Sequence, residues 1–135
     1  MKNPYNVKSD IELLHPWMKH RALSLVDLVD KMLSFKMRVY ETLRSRELQN
    51  FYFKRGKSKL DGSKKVSLHQ LGLAVDMQLL DQNGVMTWKD QDWAIVNSVA
   101  IGLDLEHGFT WKFKDSPHFQ PNKHHLKWLL KEING

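Results

Sequence analysis

Residues 67–76, SLHQLGLAVD, set the tightest limit on what this chain can fold into. His69 and Asp76 are both good metal ligands, with six residues between them. On one straight strand their α-carbons would stand roughly 23 Å apart, at about 3.3 Å per residue. On a straight helix they would be roughly 10 Å apart along the axis, at about 1.5 Å per residue. Neither spacing lets both touch one ion at about 2 Å. To share an ion the chain must bend between them, and Gly72 is the residue that permits it. After Gly72 the pattern is two-fold: Leu73, Val75, Met77 and Leu79 share one parity, and Ala74, Asp76 and Gln78 the other. An Asp among apolar strand positions needs a partner. A metal ion meets that need, and so does pairing with a nearby Arg or capping of a loop.

A second candidate segment is Asp115-Ser116-Pro117-His118. Pro117 disfavours the helical region for Ser116 and lacks a donor of its own, which excludes a helical His-Glu-x-x-His arrangement. His118 is therefore expected on an extended segment, followed by Phe119 and Gln120 and stopped by Pro121. The chain has no cysteine, so any metal site must use His and carboxylate. Two imidazoles, one carboxylate and an open position make the layout of a catalytic zinc site. Asp115 precedes His118 by three residues and suits a general base beside such a site, or a turn cap.

Taken together, Ser67-x-His69 with Gly72, Ala74 and Asp76, then Asp115-x-Pro117-His118-Phe119-Gln120, resemble the zinc peptidases that cut peptidoglycan stem peptides. These are the VanX- and VanY-like D-alanyl-D-alanine peptidases and the phage L-alanyl-D-glutamate endolysins. The resemblance extends upstream to Arg44-Ser45 and Gln49, and covers roughly residues 36 to 121. Leu43 stands where an aromatic residue is usual, and Glu106-His107-Gly108-Phe109-Thr110-Trp111 where tryptophan and glycines usually precede the last motif. The resemblance implies Zn2+ held by His69, Asp76 and His118, with Asp115 as the base and Arg44 stabilising the tetrahedral intermediate. Gln49 is a substrate-binding candidate by the same resemblance, Ser67 binds substrate or caps its loop, and Trp111, near the site, lines its mouth; Glu106 competes with Asp115 as the base or supports a ligand histidine from behind. His107 is expected in the pocket wall in place of the tryptophan.

The implied function is a zinc endopeptidase cleaving the L-alanyl-D-glutamate bond of peptidoglycan stem peptides, as a phage-type endolysin for host lysis. The alternatives are a D-alanyl-D-alanine dipeptidase or carboxypeptidase, a zinc-binding structural domain, and a basic nucleic-acid-binding module. The last rests on the net charge of +6 and on residues 54–65, KRGKSKLDGSKK, with six basic residues and one acid. A basic surface suits any polyanion, and the resemblance implies no specific nucleic acid.

At 135 residues the chain is expected to form one catalytic domain, residues 1–135, without a separate wall-binding module. No stretch approaches the 18 apolar residues of a membrane span, and the N-terminus lacks the apolar run of a signal peptide. Synthesis in the host bacterial cytoplasm, release through a holin and action in the periplasm or cell wall follow from the resemblance. A monomer is the default expectation.

Along the chain, residues 1–9 read as a polar, mobile start and residues 10–14 as a helical turn. Pro16 opens a helix to about residue 34 whose apolar face is Trp17, Leu25, Leu28, Val29 and Met32. Residues 35–42 read as a strand. Ser45 caps a helix to about residue 53, on which Phe51, Tyr52 and Phe53 are expected in the core. Asn83-Gly84 signals a tight hairpin, with residues 85–88 as the returning strand. Asp90 caps a helix to about residue 101 with Trp93, Val96 and Ala100 facing inward. Asn122 starts a C-terminal helix whose apolar side is Leu126, Leu129, Leu130 and Ile133. The tryptophans are expected in the core, apart from Trp111 at the site mouth. The fold class is α+β, a small antiparallel sheet carrying the site, packed with helices from both ends of the chain.

Overall fold

A computed structural model describes residues 3–135, so Met1 and Lys2 of the polar start lie outside the described residues. The elements in chain order are α1 (Pro16–Met32), β1 (Lys36–Glu41), α2 (Arg46–Lys54), β2 (Val75–Leu80), α3 (Asp90–Gly102), β3 (Leu105–His107), β4 (His118–Pro121) and α4 (Lys123–Asn134). The four strands form one antiparallel sheet in the order β1-β2-β4-β3. The α+β expectation holds, with α1 and α3 packed together under the strands.

The two-fold pattern after Gly72 sorts the sheet into two faces. Met37, Val75, Met77, Leu79 and Phe119 are buried against Met18, Ala22, Leu25 and Val29 of α1 and Trp93, Val96 and Ala100 of α3. Each such side chain, fully buried, stabilises the fold by roughly 1.5–3 kcal/mol. The inward stripe of α1 falls one residue from the expected one: Met18 and Ala22 are buried, whereas Leu28 is half-buried and Met32 is 69% exposed. Met32 is the last helical residue. Asp30 joins α1 to β1, its carboxylate accepting from the Met37 amide at 3.0 Å.

Four other expectations change. Residues 85–88 form no strand; a single bridge pairs Met86 with Leu80. The Asp81 carboxylate takes the Asn83 and Val85 amides, and Thr87 gives its hydroxyl to Asp92 and its carbonyl to the Trp93 indole, so the segment has little left for a ladder. Phe51 and Tyr52 are half-buried and Phe53 is exposed. Trp93 is core, but Trp88 and Trp128 are 60% and 56% exposed. In α4 the expected apolar side contributes Leu129 to the core, while Ile133 stays exposed.

The corner demanded by residues 67–76 is present. Leu68–Leu71 form one 3-10 turn, with the Ser67 hydroxyl accepting from the His69 amide and Gln70 reaching back to the Ser67 amide, a capping box. Gly72 ends the turn at φ 70° and ψ 21°, a left-handed conformation that costs other residues about 1–2 kcal/mol. Its carbonyl accepts from the His15 amide at 3.0 Å, docking the corner on the start of α1. A Cβ at Gly72 would meet that amide nitrogen at 3.0 Å and the Leu13 carbonyl at 3.2 Å. Gly72→Ala is therefore expected to lower unfolding free energy by about 2 kcal/mol or more in urea titration. A variant as stable as wild type would show that the corner tolerates other conformations.

Candidate active site

Strand register builds the centre of the site. A β-bulge at Tyr40 shifts β1 so that Glu41 lies opposite Asp76, and Asp76 lies opposite His118 on β4. Glu41, Asp76 and His118 thus form a row across three strands, and the Gly72 corner brings His69 above it. Asp76 Oδ1 lies 3.2 Å from His69 Nε2 and 3.3 Å from His118 Nδ1. Ligand atoms arranged tetrahedrally at 2.0–2.1 Å from one zinc ion stand about 3.3 Å apart. Among the described residues, His69, Asp76 and His118 are the group that could hold a metal ion.

The hydrogen bonds behind the imidazoles support that fit. His69 Nδ1 lies 2.9 Å from the Thr42 carbonyl and His118 Nε2 2.8 Å from the Gln120 side-chain oxygen. Both oxygens only accept, so the outer ring nitrogens carry the protons and the inner ones face the Asp76 carboxylate with lone pairs. Three acceptors converge on one point, and a cation must balance them. Burial alone would raise the Asp76 pKa, but hydrogen bonds from His118 and His69 outweigh it and hold the carboxyl far below its usual range. Burial would lower His118, but its hydrogen bond to Asp76 and the attraction of that charge raise it instead. Two nitrogens and one oxygen match zinc chemistry.

Arg44 reaches the row from the loop before α2. Its guanidinium donates to both Glu41 oxygens, at 3.1 and 2.6 Å, and to the Gln49 side-chain oxygen at 2.9 Å. One nitrogen lies 3.7 Å from Asp76 Oδ2. Glu41 had no expected role; an acid three residues before Arg44, at the end of a strand, was the available signal. Gln49 is fully buried and lies behind the cavity wall rather than among the residues that line it. Its amide nitrogen donates to the Ser58 hydroxyl and the Leu60 carbonyl, so it holds Arg44 on one side and the 58–60 segment on the other. The basic loop is thereby part of the site: Lys57, Ser58 and Leu60 line the same cavity as Arg44 and His69.

Ser67 both caps its turn and lines this cavity. Trp111 lines it as expected, its ring 5.1 Å from that of His118. Glu106 takes a different place from the expected one. It holds the Trp111 indole N–H at 2.8 Å and contacts neither histidine; Gln120, across the β3–β4 ladder from it, is the group behind His118. The alternation of His118 and Gln120 on one strand face was the missed signal. His107 lies behind the sheet rather than in the pocket wall. It is 1% exposed and stacked on Phe119 at 4.2 Å, because its register partner on β4 is that inward-facing residue. Its Nε2 donates to the Ser116 carbonyl at 2.6 Å, fixing the loop between Asp115 and His118.

Asp115 sits at the cavity mouth. Its amide donates to the Gly108 carbonyl at 2.9 Å, and a Cβ at Gly108 would collide with the Asp115 carbonyl, so Gly108 sets the approach of the two loops. Desolvation raises the Asp115 pKa; the charge of His118 opposes the rise and that of Asp76 adds to it. A second cavity, lined by Tyr40, Met86, Trp88 and Pro117, adjoins the first and shares Tyr40, Asp76 and Asp115 with it. Asp76 and Asp115 therefore lie along a groove with space on both sides.

Known proteins place this geometry. Residues 61–121 match a peptidase M15 family described as D-alanyl-D-alanine carboxypeptidase. The chain is 30% identical over 122 residues to the peptidoglycan L-alanyl-D-glutamate endopeptidase CwlK of Bacillus subtilis (strain 168), covering 79% of this chain and 72% of that protein. The chain belongs to this peptidase family. Its members include VanX- and VanY-like enzymes and L-alanyl-D-glutamate endopeptidases, and the chain is a metallopeptidase acting on peptidoglycan. The L-Ala D-Glu endopeptidase ChiX of Serratia marcescens shares the fold with a TM-score of 0.66 and 27% identity, over 86% of each chain. The VanY D,D-pentapeptidase of a VanB-type resistance cassette, solved with Zn(II), has a TM-score of 0.60 at 13% identity, over 96% of this chain and 86% of that one, a likeness of fold.

The buried His107 gives the family fold here a pH dependence. Burial pulls its imidazole down to about 4, against the ordinary 6.5, with the Ser116 hydrogen bond opposing. Below pH 6.5 the unfolded chain takes up a proton that the folded chain refuses until about pH 4, so stability falls as pH drops through that window. The loss approaches about 3 kcal/mol. Urea titrations of wild type and His107→Gln at several pH values should show a steeper acid loss in the wild type. Parallel curves would mean that His107 is charged in the fold.

Proposed function

We propose that this protein hydrolyses the L-alanyl-D-glutamate bond of peptidoglycan stem peptides, with Zn2+ held by His69, Asp76 and His118. The observation that carries the endopeptidase reading is the groove with space on both sides of Asp76 and Asp115. An internal bond needs room for chain in both directions, whereas a terminal-residue peptidase needs one closed end. The endopeptidase relatives CwlK and ChiX support the choice of bond.

In this reading the whole 1–135 stretch acts as one catalytic domain, supported by a single core cluster running from Leu14 to Phe119. Held by His69, Asp76 and His118, Zn2+ would supply Lewis acidity for the scissile carbonyl and for a water whose pKa it would lower to about 7. Asp115, its pKa raised, takes a proton from the attacking water. The carbon–oxygen bond forms, and Asp115 returns the proton to the amine of D-glutamate as the carbon–nitrogen bond breaks. Arg44 stabilises the negative charge that builds on the former carbonyl oxygen. Its guanidinium is already fixed by Glu41 and Gln49, so little reorganisation is needed when that charge appears. Ser67 and Trp111 line the groove where they can bind the peptide.

Within the same reading the protein is a monomeric phage-type endolysin, synthesised in the host cytoplasm, that reaches the wall through holin lesions. The resemblance of its two motifs to phage enzymes supports this role, and lysis of cells only on co-expression with a holin tests it.

The deciding experiment digests purified sacculi with wild type, chelator-treated and zinc-restored protein, and reads the fragments by mass spectrometry. Glycan carrying only lactoyl-L-alanine, with peptides bearing a new D-glutamyl amino terminus, is the expected result. Release of D-alanine alone would make the protein a carboxypeptidase. Asp115→Asn should keep stoichiometric zinc while kcat/KM falls about a hundred- to ten-thousandfold. Unchanged activity in that variant would remove Asp115 from the proton transfer.

A further inference from the structure

The groove has two chemically different arms. The arm containing His69 carries Lys57 and the ion pair of Arg44 with Glu41. Among the described residues, no Lys or Arg lines the other arm, beyond Tyr40, Asp76 and Asp115. Its walls are Trp88, Met86, Tyr40 and Pro117, with Gln78 and Met77 beneath. Trp88, Tyr40 and Met86 are 60%, 47% and 39% exposed, a concentration of apolar surface beside a catalytic centre.

Trp88 is held in place. Its indole lies against that of the buried Trp93, with ring centres 6.5 Å apart and planes 30° apart. On one side the Thr87 amide donates to the Leu79 carbonyl at 2.9 Å, and the Thr87 carbonyl accepts from the Trp93 indole at 3.0 Å. On the other, the Lys89 amide donates to the Thr87 hydroxyl at 3.2 Å. An indole fixed on its backbone and open on one face can bind a flat ligand with little loss of side-chain entropy. Gln78 gives its oxygen to Arg38 at 2.8 Å, which leaves its amide N–H groups for a polar substituent of that ligand.

We infer that this arm is a saccharide subsite, in which Trp88 stacks against the N-acetylated sugar ring that carries the stem peptide. The inference rests on the L-alanyl-D-glutamate reading. In that substrate a single L-alanine and its lactoyl link separate the scissile bond from the sugar. Two to three residue lengths at about 3.6 Å place the ring about 7–11 Å from the reacting carbonyl, within an adjoining cavity. The peptide on the other side of the bond bears free carboxylates, which match the arm with Lys57. The ring itself is uncharged, and its C–H face suits an aromatic wall. With the sugar over Trp88, the acidic peptide runs toward Lys57.

The test compares zinc-loaded wild type, Trp88→Ala and Trp88→Tyr on two substrates, an N-acetylmuramyl tetrapeptide and the same tetrapeptide without the sugar. Trp88→Ala should lower kcat/KM on the sugar-bearing substrate about tenfold and leave the free peptide within about twofold, while Trp88→Tyr retains most of the difference. An equal loss on both substrates would make Trp88 a structural residue and overturn the subsite. So would equal activity of Trp88→Ala and wild type on both. If the wild type cleaves neither substrate at the L-alanyl-D-glutamate bond, the reading beneath the subsite fails and the subsite with it.

Discussion

Two imidazole nitrogens stand 3.2 and 3.3 Å from one carboxylate oxygen, and the three converge on a point that one cation can share. Asp76 is the centre of this group. Strand pairing places this carboxylate between Glu41 and His118, and the Gly72 corner adds His69. The outer nitrogens of both imidazoles are already committed, to Thr42 and Gln120. The ring orientations are therefore set before any ion arrives, and the fold carries the cost of holding like groups together. That cost falls on a sheet whose opposite face is packed against α1 and α3, the most buried part of the molecule.

A second group of buried polar residues serves the same centre. Glu41, Arg44 and Gln49 are nearly removed from water, and each finds its partners within the group or the adjoining loop. Removing one member of such a network leaves a buried charge or amide unpaired, so the network is stable only as a whole. Its effect on function is positional. Arg44 is aimed at the row, and the 58–60 segment beside Lys57 is fastened to α2, which turns a Gly- and Lys-rich loop into one wall of the groove.

Much of the site was legible in the sequence because its signals are local. Ligand spacing demanded a bend at Gly72, and Pro117 demanded extended chain into His118; both are present. Residues whose roles depend on cross-strand register were not legible. Glu41 faces Asp76 only because a bulge at Tyr40 shifts β1 by one residue, and no composition signal marks that bulge. His107 was expected in the groove, but its register partner is the inward-facing Phe119, which turns it into the core. Glu106 and Gln120 face one another across the same ladder, and local sequence did not reveal that Gln120 would back the ligand and Glu106 the tryptophan. Helix positions were legible, and Leu25 and Val29 are buried as their spacing suggested, whereas Met32 at the last turn of α1 is exposed.

The central claim is that His69, Asp76 and His118 form one preorganised metal site. X-ray absorption spectroscopy of the zinc-loaded protein tests it directly. The expected spectrum has two imidazole nitrogens and a carboxylate oxygen at about 2.0–2.1 Å with one further light donor, and His118→Ala removes both an imidazole signature and stoichiometric zinc. A six-oxygen environment, or a spectrum unchanged in His118→Ala, would contradict the account and place the metal elsewhere.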